Sequence, residues 1–176
     1  MEPNNGTNKN RCSTNDVVIR GQKITREQTD LLDKDISFSN LIDSVVILHG
    51  APSALHLKKL QDCKVFCGPV NGAVFINDCK DCTFIFPCQQ LRVHTTVRSQ
   101  FYLHVTSRAI IEDCQELGFA EFNWSYEGMD EHFRLSRLDQ TKNNWQLVND
   151  FNWLKADTHS PNWHLIKNEN KVKSWN

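Results

Sequence analysis

Arg92 closes the pentapeptide Cys88-Gln89-Gln90-Leu91-Arg92 and is the residue in this chain whose setting most suggests chemistry. A guanidinium is planar, permanently charged and carries a rigid fork of donors, so it suits carboxylate or phosphate oxygens. If Leu91 and Val93 face inward in a strand, Gln90, Arg92 and His94 share the outer face. Leu91 and Ile111, and likewise Arg92 and Glu112, are twenty residues apart. In a coil of that length Glu112 lies beside Arg92 and directs its guanidinium. The competing reading is a plain exposed ion pair, worth at most about 1 kcal/mol, and the pattern alone favours it. A second chemical signal is Cys79-Lys80-Asp81-Cys82, formally a Cys-x-x-Cys pair. No second pair stands at zinc-finger spacing and no βαβ pattern surrounds it, so reduced, buried thiols are expected, with no metal. The chain has no Gly-x-x-x-x-Gly-Lys-Ser/Thr loop of its own and no cofactor is expected.

The element that must carry Arg92 is read from a repeat. Asp43, Asp62 and Asp81 recur every nineteen residues, and so do Val46, Val65 and Phe84, and Leu48, Cys67 and Phe86. A fixed period near twenty marks a solenoid. Within each row apolar and polar residues alternate over short runs, as in half-buried strands. Ser44, Val46 and Leu48 point one way, and Val45, Ile47 and His49 the other. In the second half of each row, Leu55 and Leu57 are expected over Val74 and Ile76, then over Val93 and Thr95. Gly and Pro mark the corners, and no leucine-rich-repeat frame is present, which leaves a parallel β-helix. Six of the seven cysteines lie in this region, and Cys63 and Cys82 share a column.

A chain of 176 residues with formal net charge −1 fits one domain and carries no global pull toward nucleic acid or membrane. Its distribution is uneven. Residues 51–111 hold seven Lys/Arg against three Asp/Glu, and residues 112–157 hold four against ten, an asymmetry able to steer a charged partner. Residues 1–20 read as a disordered polar tail, 36–122 as coils, and 123–176 as an irregular or helical segment packed on them. Thr25 and Gln28 form a capping-box pattern that predicts a short helix over 24–34. Trp124, Trp145, Trp153 and Trp163 are expected to pack against the coil and cover an open end or edge. There is no signal-peptide or myristoylation pattern, so the sequons at Asn5 and Asn123 read as chance matches. A cytoplasmic, cytoskeleton-associated monomer is expected.

Several runs resemble the tubulin-binding cofactor C domain family: Cys67-Gly68-Pro69-Val70, Cys88-Gln89-Gln90-Leu91-Arg92, Thr106 to Cys114, Trp124-Ser125-Tyr126, Asp150-Phe151-Asn152-Trp153-Leu154 and Ser160-Pro161-Asn162-Trp163. The resemblance spans about residues 36–176, and Asn-Trp-Leu and Ser-Pro-Asn-Trp favour its tubulin-folding branch. It implies a right-handed β-helix that activates a partner GTPase and is not itself an enzyme. Arg92 would be an arginine finger, Gln89 and Glu112 its supports, and Phe151 an aromatic at the interface. The implied partners are α/β-tubulin with cofactors D and E. One branch of the family would act instead on ADP-ribosylation-factor-like GTPases, and a related actin-binding β-helix works without a finger. The resemblance selects Gln89 where strand alternation selects Gln90. The family's tubulin-folding members also carry a helical N-terminal domain, for which this chain has no matching length.

Overall fold

In a computed structural model, which describes residues 17–176, the chain is the parallel β-helix expected from the repeat. The first two elements are β1 (Ile19–Arg20) and β2 (Lys23–Glu27), followed by α1 (Gln28–Leu31). The coils run through β3 (Asp35–Ile42), β4 (Val45–His49), β5 (Ala54–Gln61), β6 (Lys64–Cys67), β7 (Val70–Asn77), β8 (Thr83–His94), β9 (Val97–Val105), β10 (Ala109–Glu112) and β11 (Gln115–Glu121). Then come α2 (Met129–Ser136), β12 (Val148–Asp150) and β13 (Trp163–Leu165). The odd-numbered strands β1 to β7 form one wall of the coil and β2, β4 and β6 another. The long β8 bends round a corner and belongs to both.

The predicted columns are internal ladders. Val46, Val65 and Phe84 are fully buried and the column continues through Phe101 and Phe119. The rings of Phe84 and Phe101 stack at 5.1 Å and those of Phe101 and Phe119 at 5.0 Å. Trp163 closes the stack edge-on to Phe119 at 5.9 Å. The aspartate column is a corner. Asp43, Asp62 and Asp81 all adopt the left-handed region, with φ of 50°, 52° and 54°. Asp and Asn tolerate that region better than other L-residues. Arg98 and Glu116 continue the column in the same conformation.

Four expectations need correction. The nineteen-residue frame does not persist: Lys23, Val45, Lys64, Thr83, Gln100 and Gly118 occupy one column, so the fourth step is seventeen residues and the fifth eighteen. A register irregularity between Val70 and Ala73 accompanies the shortening, so Val74 stacks on Leu91 and Ile76 on Val93, not on Val93 and Thr95. The capping box does not form either. Thr25 lies in β2 opposite Ile47, and the helix is the single turn Gln28–Leu31, whose N-cap Glu27 makes no side-chain cap bond. Pairing with β4 competes with helix over Lys23–Glu27, and the strand ladder wins. Finally, the segment after Glu121 does more than pack. β12 extends β10 and β13 extends β11, so each covers an edge with paired backbone.

The tail expected over residues 1–20 lies outside the described residues as far as position 16, while Ile19 and Arg20 pair with Leu41 and Ile42. The sequon at Asn5 is likewise outside them. That at Asn123 has both ends of its amide engaged, donating to the Val172 carbonyl and accepting from the Trp175 indole, each at 2.7 Å. Cys63, Cys67, Cys79, Cys82, Cys88 and Cys114 are unbridged and buried, and no metal-binding cluster occurs among the described residues. Burial pushes the thiols of Cys67 and Cys88 far up and that of Cys79 up to about 12. Cys63, Cys79, Cys82 and Cys114 each direct the thiol at the carbonyl two residues back, as Ser44, Thr96 and Ser99 do with their hydroxyls. Small donors thus satisfy the corner carbonyls from inside the coil. No helix among the described residues is long and apolar enough to cross a membrane.

Candidate functional site

The second arm of β8 alternates as expected. Leu91 and Val93 are buried, Gln90 is half-buried, and Arg92 and His94 are exposed. Arg92 therefore stands on an outer wall whose backbone is paired on both sides, with Phe75 of β7 above it and Ile110 of β10 below. The full outward column is Ser37, His56, Phe75, Arg92, Ile110 and Asn149. Next to it runs Ser39, Lys58, Asn77, His94 and Glu112.

These two columns line a groove of about 500 Å³. Arg92, His94, Glu112 and Phe151, all singled out in the sequence, meet in it. Phe151 is 54 % exposed although aromatic, and its placement is built by flanking residues. Its N–H donates to the Ile111 carbonyl at 2.9 Å. Before it, the Asp150 carboxylate accepts from Ser160 and Asn162 at 2.6 and 2.8 Å. After it, the Asn152 amide bonds both the backbone N–H and the carboxylate of Asp113. Two short polar clamps thus hold an exposed phenylalanine at the groove, in a strand-ending turn that sequence pattern alone would class as a loop.

Arg92 and Glu112 do not form the expected pair. The coil between them advances eighteen residues, so Arg92 lies opposite Ile110, and Glu112 lies opposite His94. The carboxylate is a diagonal neighbour on the same face, and neither side chain makes a hydrogen bond or ion pair with another described residue. His94 is held instead by Asp113, with Nε2 to Oδ2 at 3.2 Å, and by Thr95 at 2.8 Å on Nδ1. Among the described residues, the groove therefore contains an exposed guanidinium that no carboxylate pairs with, apolar side chains around it, and the carboxylate of Glu112 within the same opening. Such a site can accept an anionic group and bury apolar surface around it.

The two glutamines separate at the corner. Gln89 is exposed and lines a different, polar groove with Thr106, Ser107, Arg137 and Lys142. Its backbone carbonyl accepts from the Ser107 N–H at 2.9 Å. Gln90 stays on Arg92's arm of the strand, opposite Ala73, but does not line the Arg92 groove. Strand alternation therefore describes Gln90 correctly, and Gln89 reaches a neighbouring surface by the bend of β8. Sequence reasoning did not single out Phe75, His56, Lys58 or Ile110, which also line the groove. The outward phase of their columns was the available signal. Trp145 and Trp163 pack against the main core as expected, and Trp124 against a second cluster on the outer side of the opposite wall; Trp153 belongs to neither cluster and is half-buried, with its indole bonded to the nearby Thr158 carbonyl at 2.7 Å.

Comparison with known proteins supports one family. The family model for tubulin binding cofactor C matches residues 33–151. Tubulin-specific chaperone C of Mus musculus is 45 % identical over 157 residues, covering 89 % of this chain and 46 % of that protein. Tubulin-folding cofactor C of Arabidopsis thaliana is 41 % identical over 138 residues, covering 78 % of this chain and 40 % of that protein. The chain thus spans less than half the length of these curated relatives. The solved structure of tubulin binding cofactor C from Leishmania major superposes with a TM-score of 0.64 at 20 % identity, over 88 % of this chain and 89 % of that one, and shares the fold. The family model covers most of the coils and reaches Phe151 at the groove: the chain belongs to the tubulin-binding cofactor C family.

Proposed function

We propose that the chain is a tubulin-folding cofactor that activates GTP hydrolysis on its partner by presenting Arg92. The observation that carries this reading is an exposed arginine with no ionic partner among the described residues, mounted on a strand paired on both sides and surrounded by apolar groove residues. Phosphoryl transfer spreads negative charge over the γ-phosphate oxygens, and an arginine supplied in trans stabilises it, contributing about 10³–10⁵ in rate. A guanidinium already bonded to a carboxylate would have to break that bond first, and Arg92 does not. Placement within a fraction of an ångström matters for such a group, and a doubly paired strand supplies a firmer mount than a loop. In this reading Phe151 docks β-tubulin. Glu112 turns the guanidinium from its diagonal position, and Gln89 contacts the partner from the adjoining polar surface. The nucleotide belongs to tubulin, and cofactors D and E present the heterodimer, whose release in the cytoplasm follows hydrolysis.

The test is GTP turnover by purified tubulin with cofactors D and E, with this chain or its Arg92→Ala variant. The variant is expected to keep the fold by circular dichroism and to lose stimulation by about 10³-fold or down to background. Undiminished stimulation by a folded Arg92→Ala protein would sink the reading.

A further inference from the structure

We infer that Phe75, braced by His56, is a positioning residue that fixes the direction of the Arg92 side chain; this rests on the Arg92 reading proposed above. Arg92 is long, exposed and has no polar partner among the described residues, so nothing ionic restricts its rotamers. Its immediate neighbours in the outward column are Phe75 on one side and Ile110 on the other, in register across parallel strands. Neighbouring strands in a sheet are about 4.8 Å apart, so in-register side chains on one face stand side by side. An arginine stem of methylenes between two apolar side chains gains packing along its length, while the charged head stays in water.

Phe75 is itself restrained. Its ring stacks on the His56 imidazole at 4.8 Å with 13° between the planes, one rung further from Arg92. The arrangement is directional. His56 limits movement of the Phe75 ring away from Arg92, and Ile110 limits the stem on the opposite side. The remaining freedom carries the guanidinium outward, into the opening shared by Phe151 and Glu112. Phe75 is 38 % exposed and lines the same groove as Arg92. The guanidinium does not lie over an aromatic ring: the cation–ring contacts among the described residues belong to Lys155 and Lys171. The role assigned to Phe75 is therefore support of the stem, leaving the head available for an anion. A carboxylate in the same place would also orient Arg92, but would compete with the phosphate for it. Apolar support avoids that competition.

The experiment compares Phe75→Ala, Phe75→Leu, Arg92→Ala and the Phe75→Ala/Arg92→Ala double variant in the tubulin GTPase assay with cofactors D and E. Both the maximal stimulated rate and the half-saturating concentration of this chain are measured. Phe75→Ala should lower the maximal rate by about tenfold or more, because misplacing a catalytic group by about 1 Å can cost about 10²-fold. Half-saturation should change by less than about twofold, and Phe75→Leu should restore most of the rate. The double variant should be no slower than Arg92→Ala, since a positioning residue has nothing left to position. In the chain alone, the ¹⁵N relaxation order parameter of the Arg92 Nε–H should fall in Phe75→Ala and recover in Phe75→Leu. An unchanged maximal rate in Phe75→Ala, or a loss confined to half-saturation, overturns the inference while leaving the Arg92 reading intact. A further loss in the double variant does the same, because it makes Phe75 an independent partner contact. Full stimulation by Arg92→Ala overturns both.

Discussion

At the scale of single residues, backbone geometry decided as much as side-chain type. The outward direction of Arg92 was legible from alternation with Leu91 and Val93, because the side-chain period of a strand is two. Its partner was not legible, because the eighteen-residue step to Ile110 depends on how the coil closes and not on any residue in the pentapeptide. The corners give a further consequence. Thr95 occupies the left-handed region at φ 50°, where a β-branched residue is strained, in the column otherwise held by Asn40, Lys59, Asp78 and Asp113. Thr95→Asn relieves that strain and is expected to raise stability by about 1 kcal/mol, or a few degrees in the unfolding midpoint. Differential scanning calorimetry reads this directly, and a lowered midpoint would mean that the Thr95 hydroxyl's 2.8 Å bond to His94 outweighs the backbone term.

The strands themselves were legible where one residue type recurs per column and illegible where coil length changes. Val46, Val65 and Phe84 announce their ladder, but its continuation through Phe101 and Phe119 comes after the seventeen-residue step and breaks the visible period. The single-turn helix was over-read, since local capping signals at Thr25 lose to the parallel pairing of β2 with β4. Energetically the ladder is the element to test. Phe101 is fully buried and stacks on rings both above and below. Phe101→Ala should destabilise the coil by about 3–5 kcal/mol, through lost transfer energy and the cavity left between its neighbours. Chemical denaturation with an unchanged slope would measure this; a cost under about 1 kcal/mol would mean that the ladder collapses around the gap.

For the whole molecule, the C-terminal segment is what completes the coil. It adds β12 and β13 as edge rungs, and its end crosses the opposite wall, where the Tyr102 hydroxyl accepts from the Val172 N–H at 3.0 Å and the Trp175 ring meets Tyr102 edge-on. The loop before α2 meets the coil where the Tyr126 ring lies 4.8 Å from the His49 ring, and the Tyr126 hydroxyl is tied to His132 Nδ1 of α2 at 2.7 Å. Burial, the leading cause, holds His132 below its ordinary pKa despite the nearby Glu131. The unfolded chain therefore binds a proton at His132 more readily than the folded one. Its contribution to stability is complete above about pH 6.5 and is lost as pH falls through the unfolded value toward the depressed folded one. The unfolding midpoint should drop between pH 7.5 and 5.5, and the drop should shrink in His132→Asn; an identical pH dependence in the variant would remove His132 from the account. By itself, the sequence determined the solenoid, its inward columns, the recurrence of the aspartate column, and the family, because each is a periodic or local property of the chain. Only the tertiary structure decided that Arg92 has no ionic partner among the described residues, that Gln89 and Gln90 face different surfaces, and that Phe75 and Phe151 flank the same groove. Those facts depend on the length of individual coils and on contacts between segments far apart in sequence, which no local pattern encodes.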